Sequence, residues 1–179
     1  RYEAGAEYPV HARKADAPDA PEQVMLDVNA LAGGRDFYEI AAFEVSPDGR
    51  LLAFAEDTVG RRQYTLRFKD LATGELLPDT IANVEASVAW VADNRTVLYI
   101  EKDPLTLLGH KVRKHVLGTD PRLDPLVFDE PDESFYVDVG LTKDGRYLYI
   151  YSLSTVSAEQ RYADAADPRL EFRVIVPRE

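Results

Sequence analysis

Apolar and polar positions in this chain alternate with a period of two, in short runs broken by Gly, Pro, Asp and Asn. Gln63 to Lys69 shows it most cleanly: Tyr64, Leu66 and Phe68 fall on one side, Thr65, Arg67 and Lys69 on the other. Leu51 to Glu56 is nearly continuous in apolar residues and predicts a strand covered on both faces. No segment sustains the 3.6-residue period of an amphipathic helix. The strands are rich in Val, Tyr, Phe, Leu, Ile and Thr, in keeping with β preference.

Three stretches repeat one another. Ser46-Pro47-Asp48-Gly49 leads into Arg50 to Phe54, Ala92-Asp93-Asn94 into Arg95 to Tyr99, and Lys143-Asp144-Gly145 into Arg146 to Ile150. Each reads as a short strand, an Asp-centred tight turn and a second apolar strand. The turn aspartates lie 45 and then 51 residues apart. A period of this size that restarts with a hairpin is the signature of a β-propeller blade.

The first repeat predicts strands at Glu39–Val45, Leu51–Glu56, Gln63–Lys69 and Leu76–Ile81. The second predicts Ser87–Val91, Thr96–Glu101, Lys111–Leu117 and Pro125–Phe128. The third predicts Tyr136–Leu141, Tyr147–Ser152, Gln160–Ala163 and Phe172–Val176. Ahead of them stand a strand through Tyr8, Val10 and Ala12, a Pro-rich loop at Asp16–Pro21 and a strand at Gln23–Asp27. One helical turn at Asn29–Ala32 follows, stopped by Gly33-Gly34.

The expected fold is all-β: a partial β-propeller of three complete four-stranded antiparallel blades plus part of a preceding blade. The expected divisions are residues 1–35 for the remnant and connecting loop, and 36–83, 84–133 and 134–179 for the blades. At about 40 to 50 residues per blade, 179 residues cannot close a seven-bladed ring. The chain starts at Arg1 and its single Met is Met25, so it is expected to come from a longer protein. Apolar blade faces without neighbours predict self-association between copies of the fragment.

The formal net charge is −11. Phosphate backbones need a basic footprint, so nucleic-acid binding is not expected. The simplest role of the acidity is solubility; attraction of cationic peptides is the other. The chain has no Cys, which removes disulfides, thiolate chemistry and Cys-based zinc sites. No apolar run approaches a membrane span.

The residues offer little catalysis. None of the six serines stands in a Gly-x-Ser-x-Gly elbow, and Ser46 and Ser87 read as turn residues. His110 and His115 are five apart on one strand and face opposite sides, so they do not chelate one metal; the expectation is a surface His110, a structural His115 and an isolated His11. Asp129-Glu130-Pro131-Asp132-Glu133 lacks the spacing and central Gly of a calcium loop and is expected to be a solvated loop. Arg61-Arg62 is a clamp for a substrate carboxylate, an interface, a solvated turn, or a pair of partners for Glu56 and Asp57 across a hairpin. Trp90 is expected in the core. No catalytic, metal or cofactor residue is assigned, and no cofactor is expected.

Longer strings carry a resemblance. Val24-Met25-Leu26-Asp27-Val28-Asn29-Ala30-Leu31-Ala32, the Ser46-Pro47-Asp48-Gly49 hairpin, Asp70-Leu71-Ala72-Thr73-Gly74-Glu75, Val88-Ala89-Trp90 with Asp93, and His115 to Thr119 resemble, in that order, the prolyl oligopeptidase family. Ala55-Glu56-Asp57 with Arg61 to Phe68, Lys102 to Leu108, Asp132 to Tyr136 and Glu171 to Arg178 are similar to its oligopeptidase B (protease II) branch.

The resemblance implies a cytoplasmic serine peptidase whose α/β-hydrolase domain is capped by a seven-bladed propeller that admits short peptides. It implies cleavage after Arg or Lys, so the partners would be short basic peptides and the hydrolase domain that this chain lacks. The chain alone is then expected to be inert. A propeller that only binds proteins, or a propeller-type glycosidase with a carboxylate pair, remain open alternatives.

Overall fold

The computed structural model describes residues 1–17 and 19–178; Pro18, inside the predicted Pro-rich loop, and Glu179, the last residue of the expected final blade, lie outside the described residues. Strands β1 (Val10–Arg13) and β2 (Gln23–Asp27) form a two-stranded antiparallel sheet. Helix α1 (Val28–Ala32) follows directly. Asp27 caps it by accepting from the Asn29 N–H at 3.0 Å and the Ala30 N–H at 3.3 Å.

Next come β3 (Glu39–Val45), β4 (Leu51–Asp57), β5 (Tyr64–Asp70), β6 (Leu76–Trp90), β7 (Thr96–Lys102), β8 (Gly109–Val116) and β9 (Leu126–Asp129). They pair in chain order as one antiparallel sheet of seven strands. A four-stranded sheet of β10 (Tyr136–Leu141), β11 (Tyr147–Leu153), β12 (Ala158–Asp164) and β13 (Arg173–Val176) closes the chain. The architecture is all-β and propeller-like, as the repeats predict.

The structure differs at one junction. Leu76–Ile81 and Ser87–Val91 are predicted as separate strands, yet the chain runs through them as the 15-residue β6. Its first half pairs with β5 (Leu66 opposite Ile81) and its second half with β7 (Trp90 opposite Val97); Val84 is shared, opposite Tyr64 on one side and Glu101 on the other. No Gly or Pro interrupts residues 79–90, and Asn83 turns the backbone with φ 59° without ending the ladder. At the next junction Pro131 has no N–H to donate, and β9 and β10 fall in different sheets.

Each sheet buries its faces against its neighbours in three stacked cores. Met25, Leu26, Val28 and Tyr38 meet Leu52, Phe54 and Leu71. Ala53, Ala55, Tyr64, Leu66 and Phe68 meet Val88, Trp90, Val97 and Tyr99. Leu98, Ile100 and Val112 meet Val137, Val139, Leu148 and Ile150. This is the nearest-neighbour stacking of a repeat protein.

The three hairpins owe their shape to their aspartates. Asp48 accepts from Ser46 Oγ at 2.6 Å and Arg50 N at 3.0 Å; Asp144 accepts from Thr142 Oγ1 at 2.6 Å and Arg146 N at 3.2 Å. The Ser46 and Thr142 hydroxyls in turn accept from the N–H groups of Leu51 and Tyr147. In the middle hairpin Val91 has no hydroxyl, and Asp93 takes Thr96 Oγ1 at 2.6 Å with the N–H groups of Arg95 and Thr96 instead. The hydroxyl partner, then the backbone N–H, holds Asp48 and Asp144 below the usual aspartate range. Burial opposes this at Asp93 and is outweighed. Part of the negative charge is therefore turn structure, beyond the solubility first assigned to it.

Candidate functional site

β3, the second half of β6 and β10 are the opening strands of three successive blades and lie side by side. Hydrogen bonds tie them: Trp90 Nε1 donates to the Glu44 carbonyl at 2.9 Å, Ser87 Oγ to Asp138 Oδ1 at 2.6 Å, and the Val139 N–H to Ser87 Oγ at 3.2 Å. Asp48 N–H donates to Asn94 Oδ1 at 2.8 Å, joining adjacent hairpins. The strands wall a cavity of about 410 Å³ that Glu44, Ser87, Asp138 and Tyr149 border.

Tyr149 can lie there because position 140 is glycine: a Cβ at Gly140 would come within 2.1 Å of the phenol. Burial pushes the Glu44 carboxyl up. Burial, and then the negative charges of Asp138 and Glu44, push the Tyr149 phenol up. Among the described residues neither carboxylate has an ion-pair partner. The wall can receive a cationic group.

A second cavity, of about 480 Å³, opens beside it between two loops, 58–63 and 103–108. Arg61, Arg62, Glu85, Lys102, Leu107 and Tyr136 are among its lining. Of the alternatives for Arg61 and Arg62, pairing with Glu56 and Asp57 does not occur. Glu56 is taken by Tyr38 and by Arg67, the latter at 3.1 Å. Asp57, fully buried, turns inward and accepts the N–H groups of Val59 at 2.8 Å, Gly60 at 2.9 Å and Arg62 at 2.8 Å. Its burial raises the cost of charge, and the backbone N–H groups win, holding it below the usual range.

The histidines fall as their spacing predicts. His110 is part-exposed, with Nδ1 3.1 Å from Asp129 Oδ1. His115 is fully buried, with Nδ1 3.0 Å from both Asp124 carboxylate oxygens and Nε2 3.1 Å from Asp79 Oδ1. Tyr99 O–H reaches Asp124 at 3.1 Å, and the Gly118 N–H reaches Asp79 at 2.5 Å. The cluster staples β6, β7, β8 and the turn at Pro121–Leu123 together. His11 stacks on Phe43 at 4.6 Å, and burial pushes its imidazole down. Trp90 is core. Ser46 is a turn residue, and no serine hydroxyl bonds to a histidine ring among the described residues.

The Asp129–Glu133 loop is only partly solvated. Glu130 is 1% exposed. Arg178 pairs with it, donating from Nη1 at 3.1 Å, and lies over the Phe135 ring at 4.1 Å. A buried carboxylate held by a part-exposed guanidinium replaces the water that the local sequence leads one to expect. Sequence reasoning also passed over Glu44, Asp138, Asp79 and Asp124. The available signal for the first two was a carboxylate within an otherwise apolar opening strand. Among the described residues no group of three or more His, Asp or Glu side chains is placed to hold a metal, and no helix is long and apolar enough to cross a membrane.

Comparison with known proteins agrees with this architecture. The family described as prolyl oligopeptidase, N-terminal β-propeller domain, matches residues 1–179. The chain is 50% identical over 194 aligned positions to dipeptidyl aminopeptidase BI of Pseudoxanthomonas mexicana, covering 100% of this chain and 27% of that protein. It is 31% identical to protease 2 of Moraxella lacunata, covering 98% of this chain and 26% of that one. Oligopeptidase B from Leishmania major superposes with a TM-score of 0.90 at 27% identity, over 98% of this chain and 25% of that one. Oligopeptidase B from Trypanosoma brucei with covalently bound antipain, in a closed form, superposes with a TM-score of 0.85 at 27% identity, over the same shares. The chain thus spans about a quarter of the length of these relatives. It belongs to the N-terminal β-propeller domain family of the prolyl oligopeptidases.

Proposed function

We propose that this chain is the propeller wall of a serine oligopeptidase that hydrolyses short peptides after Arg or Lys. In this role it limits substrates by size and caps a hydrolase domain that the chain does not contain. One observation carries the preference for cationic substrates: Glu44 and Asp138 border the cavity of the opening strands with no cation paired to them among the described residues. A peptide guanidinium or ammonium would supply the missing charge. The similarity to oligopeptidase B supports the same substrate class.

The test uses the full-length parent with a chromogenic Arg amide and Arg-containing peptides of increasing length. Turnover of the amide and short peptides, with a folded protein left intact, is the expected result; cleavage of the folded protein at a similar rate removes the size filter. The isolated chain gives no turnover.

The 50% identity to a protein named dipeptidyl aminopeptidase favours a second reading, release of dipeptides from a free amino terminus. Amino-blocked and amino-free Arg substrates separate the two. An endopeptidase accepts the blocked form, and a dipeptidyl aminopeptidase does not.

A further inference from the structure

The chain has fifteen arginines among its 21 basic residues, against 32 acidic ones. In such an excess of carboxylates an arginine normally finds a partner. Twelve do, through side-chain hydrogen bonds or ion pairs. Among the described residues only Arg61, Arg62 and Arg173 have none at the guanidinium. Two of those three are adjacent and line the 480 Å³ cavity.

Their loop is built to display them. The buried Asp57 carboxylate holds three of its N–H groups. Lys102, 5% exposed, donates from Nζ to the Arg62 carbonyl at 2.7 Å. Arg62 itself sits at φ 54°, a left-handed conformation that a non-glycine residue adopts at a cost. Gly60, at φ 78°, makes the bend beside it. Across the cavity Asp103 pins the second loop by accepting the N–H groups of Leu105 and Thr106, each at 2.8 Å, and Leu107 there has φ 61°. Of the other charges of the cavity, two engage each other and the third, Asp138, is shared with the first cavity. Lys102 pairs with Glu85 at 2.9 Å, and Asp138 takes the Ser87 hydroxyl. The two guanidinium forks are left over, next to the apolar Leu107, Leu108 and the exposed Tyr136.

We propose that Arg61 and Arg62 bind the carboxyl-terminal carboxylate of a short peptide, with its last side chain against Leu107, Leu108 and Tyr136. This deepens the oligopeptidase reading and rests on it. A guanidinium fork matches a carboxylate in shape and charge, and the cavity volume suits a ligand of a few residues. A site that reads a free chain end adds a chemical criterion to size: a short peptide presents its terminus near its cleavable bond, and a long chain does not.

The test takes the full-length parent, its nucleophile blocked by a serine-directed organophosphate. It compares a fluorescent Arg-containing peptide as free acid and as carboxyl-terminal amide, by anisotropy. The acid is expected to bind at least about tenfold tighter, as one charge-assisted pair allows. Arg61→Gln with Arg62→Gln brings the two forms within about twofold and leaves the amide unchanged, whereas Arg173→Gln keeps the preference. If the double variant does not fold, each single variant is read in the same way, with a loss of about threefold expected. Equal affinity in the unaltered parent, or a preference that survives the double variant, overturns the site. A parent with no acid preference whose melting temperature falls in the double variant pairs these arginines with one of its own carboxylates, which also overturns it. Cleavage of an Arg amide is measured in parallel on unblocked enzyme. Acid preference without cleavage keeps the site and removes the peptidase reading, and cleavage without acid preference removes the site alone.

Discussion

The cluster around His115 and the loop carrying Arg61 and Arg62 use the same chemistry in opposite ways. At His115 every polar group is turned toward another within the protein: Asp79 and Asp124 flank the ring, and Tyr99 and the Gly118 N–H complete the carboxylates. In the loop the carboxylate of Asp57 is spent on backbone N–H groups, which leaves the guanidiniums beside it without a partner. A saturated polar cluster holds strands in place, whereas a rigid loop with unsaturated charges is poised for a ligand. Energetically the first should show in stability and the second in binding.

The largest effect is expected from opening the saturated cluster. Asp124→Ala leaves His115 and Tyr99 facing a void where their acceptor was, and should cost about 3 kcal/mol or more, as two buried hydrogen-bonding groups lose a carboxylate partner together. Urea unfolding of the parent measures it; a loss under about 1 kcal/mol would show that the cluster does not staple these strands. Tyr99→Phe, which removes one hydroxyl, is expected to cost about 1 kcal/mol.

Asp57→Ala comes next, at about 1–3 kcal/mol, because three part-buried N–H groups lose their one buried acceptor. Limited proteolysis should then cut within 58–63, where the unaltered protein resists. Acid titrates the same contrast. The folded value of Asp57 is depressed, so its contribution is complete above the unfolded aspartate value of about 3.9. It is lost as the pH falls through the folded value. Asp57→Asn should therefore flatten the slope of stability against pH below about pH 4, and an unchanged slope would remove Asp57 as a source of acid sensitivity.

The smallest effect on stability is expected from Arg61→Gln with Arg62→Gln, within about 0.5 kcal/mol, since neither guanidinium touches a partner. A loss of several kcal/mol would place them with the His115 cluster and end the contrast.

Self-association is expected from the unpartnered face of the last blade. The exposed Leu153 and Val176 share it with the part-exposed Tyr151 and Tyr162. Sedimentation of the isolated chain over a range of concentrations checks this, and a strictly monomeric species counts against it.

Local pattern made much of the fold legible. The hairpins at Asp48, Asp93 and Asp144 need only residues within a few positions of each other: an Asp carboxylate, a hydroxyl neighbour, and Gly or Asn where φ is positive. The alternation Tyr64–Lys69 likewise gave β5 its buried face. The continuous β6 was less legible, since Asn83 looks like a turn residue and acts as a bend within a ladder. The partners of His115 were illegible, because Asp79 is 36 residues away and Asp124 belongs to a turn with no periodicity.

By itself the sequence determined the strands, their turns and the stacking of like repeats. Period-two burial and Asp-centred turns are encoded within a few residues, and each repeat must cover its own apolar face. Only the tertiary structure decided which charges are spent and which are left. Glu130 looked solvated until Arg178 arrived from 48 residues away, and Arg61 and Arg62 could have paired with Asp57 until it turned inward to the backbone. Charge pairing is a competition among groups distant in sequence, settled by distances that exist only once the blades have stacked.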